Sequence, residues 1–107
     1  MRESRINVFS YDDMDDSTVE VIGEAGEFYL TLSWAEWLYE FFRDQWRGEE
    51  ITLYADDNEL FCAFVEIHGN ELHFYEVEIE EYNTLTVNQF CRGLSAAKVS
   101  IVRYPCT

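Results

Sequence analysis

His68 and His73 bracket the segment HGNELH, and Glu66 and Glu71 stand two residues before each of them. Two neutral imidazoles and two carboxylates converging on one point form a donor set for a divalent metal. A hairpin tip holds such a set loosely, and the spacing matches no zinc signature. Pairing of His with Glu across two surface strands is the simpler reading, so no metal and no other cofactor is expected. The loop YDDMDDS gathers Asp12, Asp13, Asp15 and Asp16 but lacks the glycine and distal glutamate of an EF-hand. Cys91 with His68 or His73 would make a thiol–imidazole pair, yet no positioning motif accompanies it. No nucleophile elbow, P-loop, HExxH or dinucleotide fingerprint occurs. Nothing singles out an acid/base pair among 22 carboxylates. The expectation is that the chain is not an enzyme.

Recognition chemistry is better represented. In HFYEVEIEEY (73–82) a strand sets Glu76, Glu78 and Glu80 on one side, with Glu81 next in line. Neighbours in that row are roughly 6.6 Å apart, twice the rise per residue. Successive phosphates of one DNA strand are about 7 Å apart, so the row can stand in for them opposite arginine and lysine. A solvated sheet face produces the same alternation, and spacing alone does not separate the two.

The formal charge of −15 arises from 22 acidic residues against seven basic ones, with Lys98 the sole lysine. Such a field repels nucleic acid and anionic membranes and attracts basic surfaces. Direct DNA or RNA binding is therefore excluded as an expectation, because that affinity rests on neutralising phosphates. Adaptation to high salt also yields acidic, lysine-poor chains. Three Trp, seven Tyr and eight Phe, however, are more than the modest core of such proteins usually carries. With 48% apolar residues in 107, the chain should fold, as one compact acidic domain spanning 1–107. No apolar run approaches the roughly 18 residues that span a bilayer. MRESRINVF lacks the order of a signal peptide, and Cys62, Cys91 and Cys106 are odd in number without a CxxC pair. Reduced thiols and a cytoplasmic location are expected.

These groups need elements to hold them. RINVF (5–9) reads as a strand, and TVEVI (18–22) and EFYLTL (27–32) flank a GEAG turn. A long amphipathic helix over about 34–47 follows, with Ser33 and Glu36 as a capping box and Gly48 closing it. Trp34, Trp37, Leu38, Phe41 and Phe42 form its core face. Tyr39 and Trp46 widen the apolar arc beyond what one sheet needs, which marks them as partner contacts. ITLYA (51–55), LFCAFVEI (60–67) and ELHFYEVEI (71–79) read as a meander. A shorter second helix over about 86–97 directs Leu85, Phe90 and Leu94 inward, and KVSIVRY (98–104) is a last strand. The pattern is α+β: an antiparallel sheet of about six to seven strands with two helices packed on it, and no repeat.

A Gly69-Asn70 turn pairs His68 with Glu71, Ile67 with Leu72 and Glu66 with His73. Counting outward assigns Leu60, Cys62, Phe64, Tyr75, Val77 and Ile79 to a core face. The opposite face then holds Val65, Ile67, Leu72 and Phe74 beside Glu59, Glu76, Glu78 and Glu80, an apolar patch bordered by acid that resembles an interface.

The function these features imply is a non-enzymatic inhibitor that occupies the nucleic-acid-binding surface of a basic protein. It would be a DNA mimic of the size and charge of phage anti-CRISPR and anti-restriction proteins. Its contacts would be Glu76, Glu78, Glu80 and Glu81; Asp12, Asp13, Asp15 and Asp16; Asp56, Asp57 and Glu59; and the aromatic pair Tyr39 and Trp46. Two alternatives share the composition. One is an immunity protein neutralising a basic nuclease toxin. The other is an assembly subunit that docks its aromatic helix face on a partner or, as a homodimer, on a second copy.

Overall fold

The computed structural model describes residues 5–11, 15–23, 26–55, 62–76 and 82–104. Among these, eight strands and two helices follow one another as β1 (Arg5–Tyr11), β2 (Thr18–Gly23), β3 (Gly26–Thr31), α1 (Leu32–Asp44), β4 (Ile51–Tyr54), β5 (Cys62–His68), β6 (Glu71–Glu76), β7 (Tyr82–Thr86), α2 (Val87–Val99) and β8 (Val102–Tyr104). The α+β class read from the sequence holds. The single sheet resolves into two, ordered β3-β2-β1-β8 and β4-β5-β6-β7.

The two sheets share a plan. In each, three consecutive strands form an antiparallel meander, β1-β2-β3 and β5-β6-β7, and the third runs straight into a helix. The residue pair at that junction is Leu-Thr both times, Leu30-Thr31 and Leu85-Thr86. Each leucine is buried and each threonine is the helix N-cap, its hydroxyl accepting from a first-turn amide. The strand after each helix crosses to the other sheet: β4 joins β5, antiparallel, and β8 joins β1, parallel. This exchange ties the halves together.

Several expectations shift in detail. Thr31, not Ser33, caps α1. The Ser33 hydroxyl instead donates to Asp16 Oδ2 at 2.6 Å, and its amide to Oδ1 at 3.3 Å, so a carboxylate from the segment between β1 and β2 satisfies a free N-terminal N–H. The capping box belongs to α2, where Gln89 N donates to Thr86 Oγ1 and Thr86 N to Gln89 Oε1. At 13 residues α2 is as long as α1, not shorter, and it absorbs Lys98 and Val99, leaving only Val102–Tyr104 as the last strand. α1 ends at Asp44, with Gln45 and Trp46 amides both donating to Phe41 O, and Gly48 turns at positive φ beyond it. Gly93 is tolerated inside α2 because the helix lies against β1: a Cβ there would meet Ile6 Cδ1 at 3.0 Å.

The Gly69-Asn70 register is as counted, with Gly69 at positive φ, but the faces are reversed near the turn, while Leu60, Val77 and Ile79 lie outside the described residues. Val65, Ile67, Leu72 and Phe74 are fully buried, whereas Phe64 and Tyr75 are only half-buried on the outer side. A bulge between Cys62 and Phe64 adds a residue to β5 and resets the alternation there. Both faces of this hairpin are apolar by sequence, and the helices decide which one is inward. Phe90 of α2 packs against Phe74 and Phe42, at ring distances of 6.0 and 6.1 Å. The supposed interface patch is thus the centre of the core, shared by both sheets and both helices. Among the described residues no helix is long and apolar enough to cross a membrane.

Candidate interaction faces

Strand alternation and the burial pattern give each sheet an inner face on the core and an outer face away from it. On β1, β2 and β3 the inner residues are Ile6 and Val8, Val19 and Val21, Phe28 and Leu30. The outer face carries Asn7, Glu20 and Tyr29 in one cross-strand row. Asn7 Nδ2 donates to Glu20 Oε1 at 3.1 Å and the Tyr29 hydroxyl donates to Oε2 at 3.2 Å. The Glu20 carboxylate is therefore held from both sides on the middle strand of the meander. Toward the β8 edge the same face becomes aromatic: Tyr104 stacks on Tyr11 at 5.2 Å and lies 5.9 Å from Phe9.

Burial, then the negative charges of Glu20 and Glu27, the hydrogen bond to Glu20 and the neighbouring Tyr11 push the Tyr29 phenol above its ordinary value of 10.0. A raised folded value favours the neutral phenol. The stability this supplies is complete below pH 10.0 and is lost as pH rises through the folded value. In a titration of phenolate absorbance, Tyr29 is expected to ionise after freely solvated tyrosines. Tyr29→Phe should remove that late step and flatten the alkaline decline in thermal stability. A late step that persists in Tyr29→Phe would assign it to another tyrosine.

The outer face of the second sheet holds the histidine group. Glu66, His68, Glu71 and His73 all project there, and the two imidazoles meet edge to face at 5.2 Å. Each carboxylate lies nearest the histidine of its own strand: Glu66 Oε1 to His68 Nε2 and Glu71 Oε1 to His73 Nε2, both 3.7 Å. The expected surface pairing of His with Glu is present, within strands rather than across them. Among the described residues no three His, Cys, Asp or Glu side chains are arranged to hold a metal ion. Farther from the turn, Tyr54, Phe64 and Tyr75 form a cross-strand aromatic row, with ring distances of 5.7 and 4.7 Å, and Tyr54 is 72% exposed. Cys91 packs against the core from α2, on the other side of this sheet from the histidines, and burial pushes its thiol up. The structure does not bring a thiol–imidazole pair together.

Of the residues expected to meet a partner, Asp12, Asp13, Asp56, Asp57, Glu59, Glu78, Glu80 and Glu81 lie outside the described residues, and Glu76 ends β6. Asp15 is exposed, and Asp16 is engaged at the start of α1. Trp46 and Tyr39 are only partly buried but pack on the core. The Trp46 indole N–H donates to Glu49 O at 2.9 Å, and Arg43 sits over the Tyr39 ring at 5.6 Å. The exposed aromatic of α1 is Trp37, expected in the core but 49% accessible and stacked on Phe41. Tyr39 also lines a groove of about 310 Å³ between the helices, with Leu94, Ser95, Lys98 and Val99.

Charge is unevenly shared. Arg43, Arg92 and Lys98 lie on the helices and Arg47 just beyond α1, whereas the outer face of the second sheet carries Glu66 and Glu71 without an Arg or Lys among the described residues. Among the described residues up to Glu71 no Asp or Glu side chain is buried. Glu20 and its two donors were not singled out in the sequence. Pairing EFYLT with TVEVI through the GEAG turn would have placed Tyr29 beside Glu20, but Asn7 depends on a register across the 12–17 loop. No protein-family model, curated protein or solved structure significantly matches this chain.

Proposed function

We propose that the chain is a non-enzymatic acidic inhibitor that binds the basic, nucleic-acid-binding surface of a protein, in the manner of phage anti-CRISPR and anti-restriction DNA mimics acting in the cytoplasm. One observation carries this reading: the negative charge is presented rather than spent. Among the described residues up to Glu71 every carboxylate is at least partly exposed, and among the described residues only Arg43–Asp44 and Lys98–Glu36 pair permanent charges, at 2.9 and 3.5 Å. Surface charge of one sign that the fold does not neutralise raises self-repulsion, and a complementary basic surface relieves it. The sequence row Glu76, Glu78, Glu80 and Glu81 adds to the same sign.

A second reading, an immunity protein against a basic nuclease toxin, draws support from the Tyr54–Phe64–Tyr75 row. Aromatic anchors beside carboxylates suit one cognate partner better than a general phosphate mimic. The test is competition. A basic protein captured with the chain is titrated with duplex DNA. Displacement by DNA is the result expected of an inhibitor seated on the nucleic-acid surface. A complex that DNA leaves intact would move the assignment to the immunity reading.

A further inference from the structure

We infer that the outer face of the β1-β2-β3 meander docks an arginine-bearing segment of a basic protein, with Glu20 as the guanidinium acceptor. This rests on the acidic-inhibitor reading and adds the face, the residue and the kind of cation. Glu20 sits on the middle strand, its backbone flanked by β1 and β3. Its two oxygens accept from Asn7 and Tyr29 at 3.1 and 3.2 Å. A carboxylate offers about four lone-pair sites, so each oxygen keeps acceptor capacity after these bonds. A carboxylate already fixed in orientation loses little freedom when it receives the planar fork of a guanidinium in a two-point contact.

The surroundings favour arginine over lysine. Phe9, Ile22 and Tyr29 are partly exposed on this face, and flat apolar and aromatic surfaces suit a weakly hydrated guanidinium better than a compact ammonium. Glu27 adds a second exposed carboxylate, and Arg5, in register with Ile22, is the cation on the same side among the described residues. Apart from Thr18, set between Phe9 and Thr31, the buried side chains of these strands belong to the opposite face. The competing surfaces fit less well. The helices carry three cations, Arg43, Arg92 and Lys98, against Arg5 alone on the described part of this face, and Glu66 and Glu71 on the second sheet each lie against an imidazole.

Hexa-arginine and hexa-lysine, titrated calorimetrically at low salt into the full chain, Glu20→Gln and Glu40→Gln, decide the matter. Glu20→Gln keeps the side-chain size and an acceptor oxygen. Glu40→Gln removes the same charge from the exposed side of α1. The wild type should prefer hexa-arginine by about tenfold, Glu20→Gln should lose about tenfold in affinity and the preference with it, and Glu40→Gln should lose about twofold or less. Equal losses in the two variants would overturn the role of Glu20 and leave the acidic-inhibitor reading intact. A wild type that binds neither peptide would overturn both.

Discussion

Replacing Phe90 with alanine is expected to cost about 3–5 kcal/mol of stability, the range for emptying a large aromatic site in a packed core. Phe90 is completely buried and is the point where three elements meet: it comes from α2, meets Phe42 of α1 edge-on and lies against Phe74 of β6. Neither Phe42 nor Phe74 can fill the void without shifting the helix or strand that carries it. Because a domain of this size holds only about 5–15 kcal/mol in total, the variant should be close to unfolding at room temperature. Trp37→Ala provides the comparison. Trp37 is a larger side chain but half exposed, so its removal should cost about 1 kcal/mol or less. Urea denaturation of both variants measures the difference. A Phe90→Ala loss no larger than that of Trp37→Ala would contradict a core centred on these three rings.

The second large effect is on binding. Changing Glu76, Glu78 and Glu80 together to lysine replaces three attractions to a basic surface with three repulsions. Close charge pairs across interfaces couple by about 1.5 kcal/mol or more, so the triple variant should bind its basic partner at least about 100-fold more weakly. The fold should survive, since removing like charges from a chain of net charge −15 relieves self-repulsion. Far-ultraviolet circular dichroism and the thermal midpoint check that point independently. A triple variant that binds as tightly as the wild type would remove this row from the recognition surface.

Local chemistry was legible in the sequence; sidedness was not. The Gly69-Asn70 turn specified the pairing of His68 with Glu71 and of Glu66 with His73, because the turn itself sets the register. The long helix was visible from its apolar period. The inner face of the β5–β6 hairpin was not, since Phe64 and Tyr75 on one side are as apolar as Val65 and Phe74 on the other. Long-range packing of Phe90 decides between them. The sequence pointed to Ser33 as the cap of α1, but Thr31, two residues earlier, takes that position and a tertiary contact from Asp16 claims Ser33. The exchange of β4 and β8 between sheets leaves no local trace in either segment. Glu20 shows the same limit for the site: its type was plain, but the donors that hold it come from two other strands.

If this acidic surface recognises a basic protein in place of nucleic acid, binding must weaken with salt. The affinity of the wild type and of the Glu76, Glu78 and Glu80 triple variant for the captured basic partner is measured between about 50 and 200 mM salt, the range over which charge-driven nucleic-acid contacts weaken steeply. Wild-type binding should fall by about tenfold or more across that range, and the triple variant should be weaker throughout with a shallower dependence. Wild-type affinity that stays constant across the range would rule out recognition by the acidic surface and place it on the exposed aromatics alone.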